Sequence, residues 1–553
     1  MRIAVIGVGP RGLSVLERVV SHAQLDGPPI ELLLIEPGEL GTGIHRLKQP
    51  DYLLLNTIAS QLTIFSDEQM TPGAPVTTGP NFFDWCRVRR SSVRFDEFLP
   101  RRLLGEYLQW AVGEFFNRAP ARLSVQHRST VAWDVRQDGA GATVTLADGT
   151  EHQVDLAIVT TGHGLANPAP IAADGLIAAP YPLPDRVDEI PAGATVALLG
   201  TGLSAMDVIA ALTVGRGGEF ASSGYVPSGR EPRIVLTNRS GRLSCARPAI
   251  TPGRRAAPAR YLTPTAVAEL RKSAPDGRLD FRSDIEPLVH REVLGRMGSA
   301  TLVEIEAVEQ ALHPAEDHWA GHSEYVAALL DRARLDLREA ERGLGVSLVK
   351  EGLEVLRDLR DGLRAAVDAP GLTEESHRYF MAEYVPRVNR LVIGPQKERI
   401  RELLILIASG IVVPGPGPGP KLTRTEPGWT LSSTRLEQPH WIGVDVVVKA
   451  NLNRPTGDPG LDPIVDSLRT WVAHGPGGES CLGLDRDGFA IPRLGAAETP
   501  AVAVFGPPAE GVSYYNHYVP SPGVWSRALT DLDRVLGPVL TAVPNAFNAV
   551  SDF

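Results

Sequence analysis

Cysteine is scarce: three in 553 residues, at 86, 245 and 481. Far apart and odd in number, they indicate neither a disulfide framework nor a thiolate metal site. There is no CxxC pair, which removes dithiol redox chemistry and with it the flavin disulfide reductases. There is no HxH or HExxH pattern, so no metal is expected. Lysine is nearly missing too. Only six of the 55 basic residues are lysine, so arginine is a compositional habit here and a lone arginine carries little functional weight. Basic residues number 55 against 65 acidic, a net charge of −10, which excludes a broadly basic nucleic-acid surface. No apolar run approaches the roughly 18 residues that cross a bilayer. The chain opens directly on MRIAVIGVG, a strand rather than a charged leader followed by an apolar stretch, and is expected to be cytoplasmic, with no membrane or nucleic-acid partner.

What is present is a long, ordinary globular composition, 43% hydrophobic and 22% charged. At about 150 residues per domain, three or four units are expected. Residues 2–6 form a short apolar run, followed by glycines, a helical pattern through LSVLERVVSHA and a second apolar run at 30–35. That is a βαβ unit. A strand at 154–160 ends this part, a proline-rich connector follows, and a second strand–turn–helix begins at Thr195. From about 262 to 410 the periodicity is helical and laced with i,i+4 charge pairs. The run PGPGPGP at 414–420 reads as a stiff connector, and strand character returns at 444–451 and 501–506. The expected architecture is α/β: two Rossmann-like dinucleotide-binding domains with an inserted helical domain. Residues 1–165 form the first part of the FAD domain, 190–260 the NADP domain, 261–413 the helical insert and 421–553 the return of the chain to both.

Gly7-Val8-Gly9-Pro10-Arg11-Gly12 fits GxGxxG between a strand and a helix. Gly7 permits the tight turn, Gly9 lets the backbone approach a pyrophosphate, and Gly12 lets helix and strand pack closely, with Pro10 and Arg11 in the same phosphate-facing turn. The helix start adds free N–H groups and a positive dipole. Glu36, ending the next strand, is placed to accept from a ribose 2′-OH. The second turn, Gly200-Thr201-Gly202-Leu203-Ser204-Ala205, is the GxGxxA variant, with Gly200, Gly202 and Ser204 as its cofactor residues. Its partner strand leads into Arg239 and Arg242 rather than an acid, and Arg239 suits a 2′-phosphate, hence NADPH over NADH. Two such turns in one chain imply a flavoprotein reduced by a nicotinamide.

These motifs resemble the flavin-dependent N-monooxygenases. GVGPRGLSVLERV with GTGIHRLKQPDYLLLNTIASQLTIF is similar to their opening segment, and NFFDWC…FLPRRLLGEYLQWA to a stretch of the ornithine and lysine N-hydroxylases. Thr161-Gly162 resembles the element linking FAD and NADP domains, GTGLSAMD the NADP turn, and FGPPAEGVSYYNHYVPSPG the segment that returns to the flavin. Two departures stand out. No lysine follows Gln49-Pro50 in 49–65, which turns away from ornithine or lysine. Gly506-Pro507 stands where many two-dinucleotide flavoproteins carry Gly-Asp, so the usual ribityl-binding carboxylate is missing. The aspartate N-monooxygenases that form nitrosuccinate resemble the chain more closely in opening motif and size. The resemblance implies FAD, NADPH and O2, and N-oxygenation of an amino acid or small amine, best guess L-aspartate to nitrosuccinate. Asn56, Tyr515 and Asn516 are the expected catalytic polar groups. His45, His163 and His517 lie in cofactor-adjacent loops, and no base stands out. Arg247, Arg254, Arg255 and Arg291 are candidate clamps for an anionic substrate. An FAD-dependent oxidase or dehydrogenase, and a non-catalytic nucleotide-binding redox partner, stay open as alternatives, as does a homo-oligomer.

Overall fold

The computed structural model describes residues 1–164, 175–250, 256, 258–314, 317–426, 428–452, 459–493, 499–516 and 518–541. The elements that position the site are, in chain order, β1 (Arg2–Ile6), α1 (Pro10–Ala23), β2 (Ile30–Ile35), α2 (Arg101–Asn117), β3 (Leu123–Arg128), β4 (Leu156–Val159) and β5 (Leu176–Ile177). They continue as β6 (Thr195–Leu199), α3 (Leu203–Leu212), β7 (Arg233–Thr237), α4 (Arg360–Val367), β8 (Val412–Pro414), β9 (Val446–Lys449), β10 (Val502–Val504) and α5 (Arg527–Thr541).

Two parallel sheets carry the molecule. The first has the order β10-β4-β1-β2-β3, with Ala4 facing Leu33 on one side and Ala157 on the other. The second has the order β8-β7-β6-β9-β5. The centre of the first sheet is an uninterrupted apolar run, Ile3 to Ile6 being at most 2% exposed, as expected for strands covered on both faces. Helix α1 starts where Pro10 needs no N–H partner. It buries Leu13, Leu16, Val19 and Val20 in a core shared with Phe65, Tyr107, Phe115 and Leu536.

Beneath this core lies a fully buried ion pair. Arg18 Nε and Nη2 each donate to Glu17 at 2.6 Å, and Nη1 donates to the carbonyl of Pro75 and to Asp533 of α5. Ser21 and Ser66 also donate to Glu17 Oε1, the oxygen that takes Nη2.

Between β7 and β8 the chain builds helices from Pro264 to Ala408, most of them around a core of Leu262, Phe281, Val293, Leu356 and Phe380. Tyr514, from the C-terminal segment, enters that core. The helices at His322–Arg342 and Lys397–Ala408 instead place Leu337, Ala340, Ile400, Leu403 and Leu406 in the core of the second sheet. The 414–420 run differs from a free-standing connector. Pro414 ends β8, which pairs with β7, and the amides of Gly415 and Gly419 donate to Leu236 and Arg239 at 2.9 Å each. The stretch 444–451 is not one strand either. Asp445 turns aside to accept the amide of Thr195 at 2.7 Å, and only Val446–Lys449 joins the second sheet. Among the described residues no helix is long and apolar enough to cross a membrane.

Candidate functional site

The first glycine turn sits at the C-terminal edge of β1. Gly7 has φ +85°, and a Cβ there would lie 2.7 Å from Thr161 Cα, so only glycine fits. A Cβ at Gly12 would fall 2.3 Å from the Gly7 carbonyl. A Cβ at Gly9 would meet the backbone of Gly43 at 3.3 Å. Gly9 caps α1 with no side-chain hydrogen bond, which leaves the first-turn amides to a ligand. Glu36 stands beside the turn. Its Oε2 accepts the amide of Val8 at 2.8 Å and Oε1 that of Gly38 at 3.0 Å. Gln49 Nε2 and His45 Nδ1 are buried with no partner, polar atoms that a polar cofactor can satisfy. Burial, reinforced by Arg101, pushes His45 down to about 3, so it is neutral at any ordinary pH. A glycine cradle, an uncapped helix start, a flanking acid and orphaned polar atoms fit FAD.

The second turn repeats the plan. Gly200 has φ +137°, and a Cβ there would meet the carbonyl of Ala450 at 2.8 Å. Gly202 caps α3 without a side-chain bond, and a Cβ on it would meet nothing within 4 Å, so there is room above the helix start. Ser204 is buried in the first turn of α3. Asn238 donates to Thr201 Oγ1 at 2.7 Å and to the carbonyl of Arg242 at 2.6 Å. It thereby pins the turn that carries Arg239. Arg239 is exposed, with Nη2 on the carbonyl of Ala382, whereas Arg242 is tied to Asp317 at 2.7 Å. Of the two arginines, Arg239 is the one that is exposed and has no acid paired to it among the described residues.

A buried link joins the two domains. Arg101, at the start of α2, donates to the carbonyl of Leu54 at 2.9 Å and pairs with Asp207 of α3 at 2.6 Å. Tyr181 of the connector donates to the same carboxylate. The two cofactor turns are thereby tied together through their flanking helices.

The C-terminal segment closes on the first turn. Tyr515 holds φ +59°, a region that costs a non-glycine residue about 1 kcal/mol or more. Its ring lies 4.3 Å from the Arg360 guanidinium, and its carbonyl accepts from Arg364 of α4 at 3.1 Å. The carbonyl of Asn516 accepts from Arg11 at 3.1 Å, while its side chain bonds Ser513. Asn56 is exposed, with Oδ1 3.5 Å from Thr57 Oγ1. The structure thus brings Arg11, Tyr515 and Asn516 into one neighbourhood, together with Arg360, Arg364, Arg527 and Asp368. None of those last four is singled out by any spacing in the sequence, since they lie on separate elements.

The expected substrate arginines are dispersed. Arg247 is buried and pairs with Glu354 at 3.0 Å while bonding the Val392 carbonyl. Its charge is already met inside the protein. Arg291 lies 4.2 Å over the ring of Tyr261. Arg254, Arg255 and His517 fall outside the described residues. One group of metal-capable side chains, His290, Glu309 and His313, lies in the helical insert.

Two glycine cradles on two parallel sheets, with an acid at the first and an arginine at the second, define a two-dinucleotide flavoprotein. Comparison with known proteins agrees. A family model described as FAD-NAD(P)-binding matches residues 4–164. The L-aspartate N-monooxygenase (nitrosuccinate-forming) of Streptomyces cremeus is 31% identical over 99% of this chain and 96% of its own length. The nitrosuccinic acid synthase of Aspergillus oryzae is 29% identical over 99% and 94%. The ornithine N-hydroxylase of Kutzneria sp. 744, solved with reduced FAD, NADP+ and L-ornithine, shares the fold at a TM-score of 0.52. It is 14% identical, with 97% of this chain and 98% of that one covered. The chain belongs to the nitrosuccinate-forming L-aspartate N-monooxygenase family. It is an FAD- and NADP-binding N-monooxygenase.

Proposed function

We propose that the protein N-oxygenates L-aspartate to nitrosuccinate. The observation that carries this reading is the 31% identity to an enzyme named for that reaction, in a match that spans 99% of the chain and so is not confined to the cofactor turns. FAD, once reduced by NADPH, supplies the oxygen-activating chemistry; the chain's own residues bind, orient and exclude water. The α1 N-terminus at Gly9 and Arg11 holds the pyrophosphate, Glu36 the adenosine ribose, and the α3 N-terminus with Ser204 the NADPH pyrophosphate. Tyr515 and Asn516, fixed by Arg364 and Arg11, are the polar groups assigned to the flavin's surroundings, with Asn56 as the third. Arg291 and Arg254 remain the arginines offered to the substrate carboxylates, Arg247 being spent on Glu354. A cytoplasmic setting, where NADPH is at hand, fits this chemistry.

Product analysis tests the substrate. NADPH oxidation and O2 uptake should accelerate with L-aspartate far more than with L-ornithine or L-lysine, and the product mass should match nitrosuccinate. If aspartate leaves the rate unchanged and every NADPH emerges as hydrogen peroxide, the oxidase reading replaces this one.

Arg239 is assigned the 2′-phosphate of NADPH. One charge-assisted pair contributes about 1.5–3 kcal/mol, roughly one to two decades in affinity. Arg239→Ala should raise the KM for NADPH by about that factor and leave NADH nearly unchanged. Equal effects on both cofactors would show that the residue does not read the phosphate.

A further inference from the structure

The Gly506-Pro507 step offers no carboxylate to the ribityl chain of FAD, and Pro507 has no N–H. The strand β10 nonetheless ends beside the first glycine turn: a Cβ on Gly506 would lie 3.7 Å from Arg11 Cγ. Next to both residues is a cavity whose lining includes Arg11, Asp368, Gly506, Asn516, Arg527 and Asp531. A ribityl chain runs from the pyrophosphate at the helix start toward the flavin ring, so its hydroxyls pass this place and need acceptors.

The acids around the cavity are not equivalent. Asp531 is divided between Arg527 and Arg534. Asp487 meets Arg534. Asp485 takes the amides of Asp487 and Phe489. Asp368, just past the end of α4 in the helical insert, is different. Its Oδ2 lies 2.5 Å from Arg527 Nη1, while Oδ1 is sealed from solvent with no partner. Burial raises its carboxyl to about 6, with Arg527 and the Tyr514 backbone amide opposing the rise. An unsatisfied buried oxygen on a residue that lines a cavity at the dinucleotide turn asks for a hydroxyl.

We propose that Asp368 of the helical insert takes the place of the missing Gly-Asp carboxylate and accepts a hydrogen bond from the FAD ribityl chain. The insert then completes the flavin site. Tyr514 in its core and Arg364 on the carbonyls of Tyr514 and Tyr515 hold it against the C-terminal segment. This inference rests on the FAD assignment of the first turn and names one more residue of that site.

The test measures binding to the full-length apoprotein by quenching of flavin fluorescence, with ADP as a competitor that shares the adenosine and pyrophosphate but lacks the ribityl chain. Asp368→Ala should weaken FAD by about tenfold or more and leave the ADP constant unchanged. Asp368→Asn, which keeps one acceptor oxygen, should fall between Ala and wild type. FAD binding as tight as wild type in both variants overturns the proposal. So does equal weakening of FAD and ADP, which marks a purely structural role. If the alanine variant does not fold, the asparagine variant decides on the same two constants. Failure of the wild-type apoprotein to bind FAD at all would instead sink the FAD assignment.

Discussion

Glu17→Ala should destabilise the first domain by about 3–5 kcal/mol, the usual consequence of leaving a buried ion without its partner. Both Glu17 and Arg18 have 0% exposure. In the native protein the guanidinium spends its donors on Glu17, Ser66, Ser21, Pro75 and Asp533. Removing the carboxylate strands a charge that has no route to water, and Asp533 is also engaged by His22 at 2.7 Å. Urea denaturation followed by tryptophan fluorescence should show the first domain unfolding at much lower denaturant. Glu17→Gln keeps the shape and one acceptor oxygen and should lose less. If Glu17→Ala unfolds with the wild-type midpoint, the pair is not sealed from solvent as the structure has it. Because α1 also presents the Gly9 turn, FAD content should fall along with stability.

Gly9→Ala should separate cofactor from fold. Its new Cβ meets only the Gly43 backbone, at 3.3 Å, and a shift of a few tenths of an ångström accommodates it. The same methyl group projects into the space through which a pyrophosphate reaches the α1 amides. The purified variant should therefore carry little FAD, with bound flavin absorbance down by at least about tenfold on the scale of one lost charge-assisted contact, and circular dichroism unchanged. Gly12→Ala is the informative contrast. There the Cβ would sit 2.3 Å from the Gly7 carbonyl, so backbone must move and the domain itself should suffer. A Gly9→Ala protein as yellow as wild type would refute the first turn as the FAD site.

The two glycine turns were legible because everything that makes them is local. Gly7, Gly9, Gly12 and Glu36 lie within one βαβ unit, and a short spacing rule captures the turn, the approach and the acid. The site around Asn516 was legible only as a segment. Arg11, Arg364, Asp368 and Arg527 come from α1, α4, the loop beyond it and α5, and no spacing links positions hundreds of residues apart. The same blindness led to Arg247 as a substrate clamp: its partner Glu354 is 107 residues away in sequence, and a lone arginine in an arginine-rich chain looks alike paired or unpaired. Strand membership was out of reach for a related reason. The runs at 444–451 and 501–506 read as β, yet nothing within them says which sheet each will join, and Val412–Pro414 lies where the sequence reads as the end of the helical insert and the start of a connector.

The late arrival of these strands governs how the chain folds as it comes off the ribosome. The FAD sheet keeps an open edge at β4 until Val502–Val504 arrives, and the NADP sheet waits for Val412–Pro414 and Val446–Lys449. Neither dinucleotide domain can close during synthesis of its own N-terminal half. A nascent chain halted near residue 260 exposes two apolar parallel sheets with unpaired edges, the kind of surface that invites wrong pairing. Closure is thus an event of the final stretch of translation, and a ribosome stall anywhere before β10 leaves a chain that holds both glycine turns yet has not finished the sheet that presents the first of them.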